Sequence, residues 1–251
     1  MSYMDYQNRR VYYQEYGSGF PLLLIHGNSV SSKLFASLKK SFKQDFRVIL
    51  FDFPGHGKSS RLEKFNTDFW FYNSEVAFQL IKFLQLEKVF VLGTSGGALV
   101  GINLALEHPE VVEFLIADSF EGAYPDKNWI GGLREERRTD KKKYLAKLFW
   151  LFNHGLDWSK VVDQDTDVNI EFFETNKPFF HKDISELSVP TLFTGSLQDE
   201  YIDNIEKRYS TLTKRNPAIK TKFFETGSHP AILAHKGEFK NLLLEYMKDT
   251  T

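Results

Sequence analysis

With 251 residues, 42% of them hydrophobic and 26% charged, the chain is long enough for one large α/β domain and too apolar for a disordered one. Its 32 basic and 33 acidic residues leave a net charge of -1, which gives no electrostatic reason to expect nucleic acid or an anionic membrane as a partner. The absence of cysteine excludes a disulfide framework, a thiolate metal site and a cysteine nucleophile, so covalent chemistry of the alcohol type falls to serine.

Met1 to Arg10 is polar and tyrosine-rich and lacks the apolar stretch of a secretory signal, so a cytoplasmic protein without integral membrane association is expected. Arg10 to Tyr16 alternates in polarity and reads as an antiparallel edge strand or hairpin. Short apolar runs follow at Pro21–Ile25, Val48–Phe51, Val89–Leu92, Phe114–Ala117, Thr191–Thr194 and Lys222–Phe224, the pattern of strands buried on both faces. Stretches of helical length at Asp68–Leu86, Ala98–Glu107, Tyr201–Lys214 and Ala231–Met247 lie between or after them. Alternating β and α elements predict a doubly wound, mostly parallel sheet. The longest apolar stretch, Val89 to Leu106, is interrupted by Gly93–Gly97 and Asn103, and therefore reads as strand, tight turn and helix rather than a membrane span.

From Glu121 to Leu187 no parallel strand is evident, only charged and aromatic helical pieces such as Glu135 to Phe152. This segment reads as a helical lid (121–187) inserted in a core made of residues 1–120 and 188–251. Its aromatic residues, among them Trp129, Phe149 and Trp150, are too many for a solvated loop and either cover a cleft or pack the insertion onto the sheet. The basic run Lys141–Lys143 beside Arg137 and Arg138 is interleaved with acids and reads as a solvated helix face.

Gly93-Thr94-Ser95-Gly96-Gly97 directly follows an apolar strand and directly precedes a helix, the context in which Gly-x-Ser-x-Gly forms a strained turn that exposes a serine hydroxyl. The helix N-terminus behind it favours developing negative charge. Upstream, His26-Gly27-Asn28 follows the strand ending at Ile25, and Asp52-Phe53-Pro54-Gly55-His56-Gly57-Lys58-Ser59 follows the next one. Downstream, Gly195 to Asp199 follows a strand, and Gly227-Ser228-His229-Pro230 precedes the last helix.

In these motifs and their order the chain resembles the α/β-hydrolase superfamily, serine branch, over nearly its whole length. The resemblance implies a sheet of about eight strands and a triad in the chain order Ser95, Asp199, His229. It also implies an oxyanion hole from the backbone N–H groups of Asn28 and Gly96, so that the Asn28 side chain should matter less than that of Ser95. In many relatives the acid stands three residues after the glycine, where this chain has Gln198, and a loop one residue longer accounts for Asp199. Asp118 and Asp203 are the rival acids. Gly27, Trp129 and Phe149 are expected to contact substrate. Of the other histidines, His26 and His56 are expected to bond backbone and His108 to cap a helix, while His154, His181 and His235 lack the partners of a metal site.

The implied reaction is hydrolysis of a small or medium carboxylic ester, or a thioester or amide, through an acyl-enzyme, a chemistry that requires no cofactor or metal. Serine at the elbow argues against the haloalkane dehalogenase and epoxide hydrolase branches. A carbon–carbon bond hydrolase, a cofactor-free haloperoxidase and, in another class, a non-catalytic small-molecule sensor remain as alternatives.

Overall fold

Successive side chains of a strand point to opposite faces, so a strand covered by helices on both sides must be apolar throughout. The computed structural model describes residues 2–250, apart from the side chains of Trp129, Asp249 and Thr250. In chain order the elements are β1 (Ser2–Tyr6), β2 (Arg9–Tyr16), β3 (Phe20–Ile25), α1 (Leu38–Phe42), β4 (Phe46–Phe51), α2 (Phe69–Phe83), β5 (Val89–Thr94), α3 (Gly96–Glu107) and β6 (Val112–Asp118). They continue with α4 (Lys127–Asp140), α5 (Tyr144–His154), α6 (Trp158–Glu174), β7 (Thr191–Ser196), α7 (Ile205–Thr213), β8 (Lys220–Phe224), α8 (Ala231–Ala234) and α9 (Lys236–Thr250).

The strands make one eight-stranded sheet in the order β1-β2-β4-β3-β5-β6-β7-β8, antiparallel at β1–β2 and β2–β4 and parallel from β4 to β8. Along β3, Leu23 and Ile25 join the apolar layer beneath α2, α3 and α7, whereas Leu22 and Leu24 join the layer beneath α1 and α9. Phe239 and Leu243 of α9 are completely buried in that second layer, and burying a side chain of this size stabilises the fold by about 1.5–3 kcal/mol. Among the described residues no helix is long and apolar enough to cross a membrane.

Three details differ from the sequence expectation. A further strand, β1, pairs antiparallel with β2 and lies outside it, so the hairpin alternative holds and the edge-strand one does not; only Met4 of β1 is buried, which leaves no apolar run to read. The helix expected from Tyr201 begins at Ile205, because the Asp199 carboxylate takes the N–H groups of Tyr201 and Ile202 at 2.9 and 3.1 Å and holds them in a turn. The stretch Glu135–Phe152 is two helices, since Lys143 is extended (φ -75°, ψ 130°) and restarts the chain as α5. Helices α4 and α5 both pack on α6, so the segment between β6 and β7 forms a helical layer of its own.

Candidate active site

The parallel strands bring their carboxyl ends to one edge, and the chemistry-bearing residues leave the sheet there. Ser95 follows β5, Asp199 follows β7, His229 follows β8 and Asn28 follows β3. Ser95 stands at φ 55° and ψ -129° between strand and helix, a conformation that costs a non-glycine residue about 1–3 kcal/mol. Its N–H donates to the Asp118 carbonyl at 2.8 Å, which ties the turn to β6. The turn also needs room: a Cβ at Gly97 would strike the carbonyl oxygens of Ile25 and His26, and one at Gly27 would lie 2.9 Å from Ser95 Cβ.

The Asp199 side chain is fully buried, and its Oδ2 lies 2.8 Å from His229 Nδ1. With Oδ1 occupied by the two N–H groups of the following turn, the carboxylate is aimed at the ring, and donation from Nδ1 leaves Nε2 as the basic nitrogen. Glu200 Oε2 accepts the His229 N–H at 2.9 Å, and the Tyr201 ring stands edge-on to the imidazole with centroids 5.3 Å apart. Two N–H groups just beyond the histidine are also held, Ala231 by Ser119 Oγ at 3.0 Å and Ile232 by Asp118 Oδ2 at 3.1 Å.

Ser95 and His229 line one cavity of about 450 Å³ together with Gly27, Asn28, Gly96 and Phe149. No hydrogen bond joins Ser95 Oγ to the imidazole in this structure, and such catalytic bonds commonly tighten only when substrate is present. Gly96 opens α3, so its N–H has no helical acceptor. The Asn28 N–H makes no hydrogen bond to another described residue, while the Asn28 side chain is fixed between Trp70 Nε1 at 3.3 Å and Asn169 Oδ1 at 3.2 Å. Phe149 is 44% exposed at the cavity wall, and the Trp129 side chain lies outside the described residues.

The rival acids have other work. The register sets Thr94, Asp118 and Thr194 level across β5, β6 and β7, and both threonine hydroxyls donate to the Asp118 carboxylate, at 3.1 and 2.9 Å. Burial pushes the Asp118 carboxyl up to about 6. Asp203 is ion-paired with Arg208. Another carboxyl lines the cavity: Glu121, pushed up to about 7 by burial and held by the Asp126 N–H at 2.8 Å. Sequence reasoning passed over Glu121, Tyr201 and Asn169, none of which belongs to a motif.

Of the remaining histidines, His26 fits the expectation, donating from Nδ1 to the Gly27 carbonyl at 2.8 Å and accepting the Phe53 N–H at 3.1 Å. His56 does not: its Nε2 meets the buried Asp165 carboxylate at 3.2 Å rather than backbone, because α6 carries that acid in over the loop. His108 ends α3 and pairs with Glu75 at 2.8 Å, and His181 pairs with Asp68 at 2.7 Å. Among the described residues no group of three or more His, Asp or Glu is arranged to hold a metal ion.

Comparison with known proteins agrees with the fold. Residues 21–150 match the family model described as the alpha/beta hydrolase fold, and the chain belongs to that family. Within it, the chain is similar to carboxylic ester hydrolases. A pimeloyl-acyl-carrier-protein methyl ester esterase of Legionella pneumophila (strain Corby) is 23% identical over 249 residues, 95% of this chain and 99% of that protein. Among solved structures, an esterase from Exiguobacterium antarcticum superimposes with a TM-score of 0.75 at 18% identity, over 96% of each chain. Est816, described as an N-acyl homoserine lactone degrading enzyme, gives 0.74 at 19% identity over 98% of this chain and 100% of its own. At such identities the structural likeness shows the shared fold.

Proposed function

We propose that this protein hydrolyses a small or medium carboxylic ester, or a related thioester or amide, through an acyl-enzyme on Ser95. The observation that carries the reading is the 2.8 Å contact between Asp199 and His229 at a cavity that also holds Ser95 on a strained turn. Likeness to relatives named as ester hydrolases supports it.

The steps follow from the positions of the groups. His229 Nε2 takes the proton of Ser95 Oγ as that oxygen attacks the acyl carbon, and Asp199 holds the ring and stabilises the imidazolium. Charge developing on the carbonyl oxygen is met by the N–H groups of Gly96, at the start of α3, and of Asn28, in the loop after β3. The imidazolium returns its proton to the departing alcohol, and water then repeats the sequence to release the acid and restore Ser95. The helices α4 to α6 serve as the cap over this cavity, with Phe149 at its wall to contact substrate.

The test is hydrolysis of p-nitrophenyl acetate and butyrate by the wild type and Ser95→Ala, alongside labelling by a fluorophosphonate. Wild-type turnover and labelling are expected, with a loss of at least about 10⁴-fold and no labelling in Ser95→Ala. A wild type that is neither active nor labelled overturns the enzyme reading and leaves a small-molecule sensor. Labelling without ester turnover turns the reading toward carbon–carbon bond hydrolysis or haloperoxidase chemistry at the same serine.

A further inference from the structure

The loop after β3 carries the Asn28 N–H, yet little within the loop holds its shape. Ser29 stands at φ +53°, a region that a serine does not favour on its own. Partners from α5 and α6 hold several of the polar groups of residues 28–31. The Ser29 N–H donates to Asp165 Oδ2 at 2.8 Å, and the Ser29 carbonyl accepts from His154 Nε2 at 3.0 Å. Nδ1 of His154 accepts the Gly57 N–H at 3.1 Å, so this ring works as one neutral tautomer that bridges two loops of the core. Burial agrees with that state, pushing the His154 imidazole down to about 3. Asn153 Oδ1 accepts both the N–H and the hydroxyl of Ser31 at 2.9 Å. The Asn28 amide nitrogen donates to Asn169 Oδ1 at 3.2 Å, and Asn169 in turn is fixed to the Asp165 carbonyl at 2.7 Å. Asn153, His154, Asp165 and Asn169 are all at most 4% exposed.

We propose that Asn153, His154, Asp165 and Asn169, carried on α5 and α6, are positioning residues that set the Asn28 N–H in the oxyanion site. The segment that covers the cavity thus also completes the catalytic apparatus, and it cannot lift away as one rigid flap without releasing residues 28–31. The polar character of the junction gives the reason. An apolar contact tolerates small shifts, whereas a hydrogen bond fixes direction as well as distance, and a misplacement of about 1 Å at a reacting centre can cost on the order of 10²-fold in rate.

The proposal rests on the ester-hydrolase reading, so the first arm of the test is wild-type turnover of p-nitrophenyl butyrate; without it, that reading fails and not the positioning alone. Given turnover, kcat and KM are measured for Asn169→Ala, Asp165→Ala and Asp165→Asn, together with inhibition by butylboronic acid, which forms a tetrahedral adduct with the nucleophile, and by the planar product butyrate. Asn169→Ala removes one neutral hydrogen bond to the loop, together with the residue's own bond to the Asp165 carbonyl, and keeps the fold testable should Asp165→Ala not fold. In Asn169→Ala, kcat is expected to fall about 10-fold with KM within a factor of about three, boronate affinity falling in step and butyrate affinity unchanged. Asp165→Ala falls further, and Asp165→Asn, which keeps an acceptor for the Ser29 N–H, recovers most of that loss. Wild-type kcat and boronate affinity in Asn169→Ala, or equal weakening of boronate and butyrate binding, overturns the proposal.

Discussion

The sheet core and the helical segment between β6 and β7 bring different contacts to the cavity. In the core, β3 and β5 bury apolar side chains on both faces, and α1 and α9 close one layer while α2, α3 and α7 close the other. The insert has an apolar centre as well, with Val161, Val162, Val168 and Phe172 of α6 buried. Its junction with the loop after β3 is nevertheless polar, and the outer face of α5 leaves Tyr144, Leu145 and Phe152 between 56% and 77% exposed. The core therefore supplies rigidity from many non-directional contacts, and the insert supplies direction from a few hydrogen bonds.

That division can be broken first at the chemistry. If the reactive groups belong to the core, Asp199→Asn should lower kcat by about 10⁴-fold, as loss of the orienting carboxylate does in such triads. Asp118→Asn and the insert variant Phe149→Ala should be far milder, the latter changing mainly KM. Collapse in Asp118→Asn with near-wild-type Asp199→Asn would transfer the acid to β6. Stability gives the next contrast. Phe239→Ala, in the completely buried layer under α9, should cost about 3–5 kcal/mol in denaturant unfolding, whereas Phe152→Ala on the exposed face of α5 should stay within about 0.5 kcal/mol. Equal losses would mean that the outer face of α5 is packed in solution.

The smallest effect concerns pH at the junction. His154 is held neutral down to about 3 in the fold, whereas an unfolded histidine takes a proton near 6.5. Between those values the unfolded chain binds the extra proton, so this residue's contribution to stability is complete above about pH 6.5 and is lost as the pH falls toward 3. His154→Gln should be less stable than the wild type at pH 7, and the gap should narrow on acidification, as read from unfolding midpoints at pH 7, 6 and 5. A gap that stays constant would show that His154 is not kept neutral by burial.

Much of the core could be read along the chain because its signals are local. An apolar run such as Val89–Leu92 names a buried strand without knowledge of its neighbours, and glycines flanking Ser95 answer to the space available within one turn. The order of Ser95, Asp199 and His229 is likewise a property of the sequence. Strand β1 escaped notice because an edge strand with one buried residue carries almost no hydrophobic pattern. Asp165 and Asn169 escaped for a different reason: on an isolated helix, two polar residues four apart look like a solvated face.

The sequence by itself thus determined the sheet, the serine turn and the chain order of the residues assigned to the reaction, since each depends on residues within a few positions of one another. Only the tertiary structure decided that Asp199 rather than Asp118 meets His229, and that the loop after β3 leans on helices more than a hundred residues downstream. Hydrogen bonds between distant segments leave no periodicity in the chain. They exist only once packing has excluded water and brought donor and acceptor together.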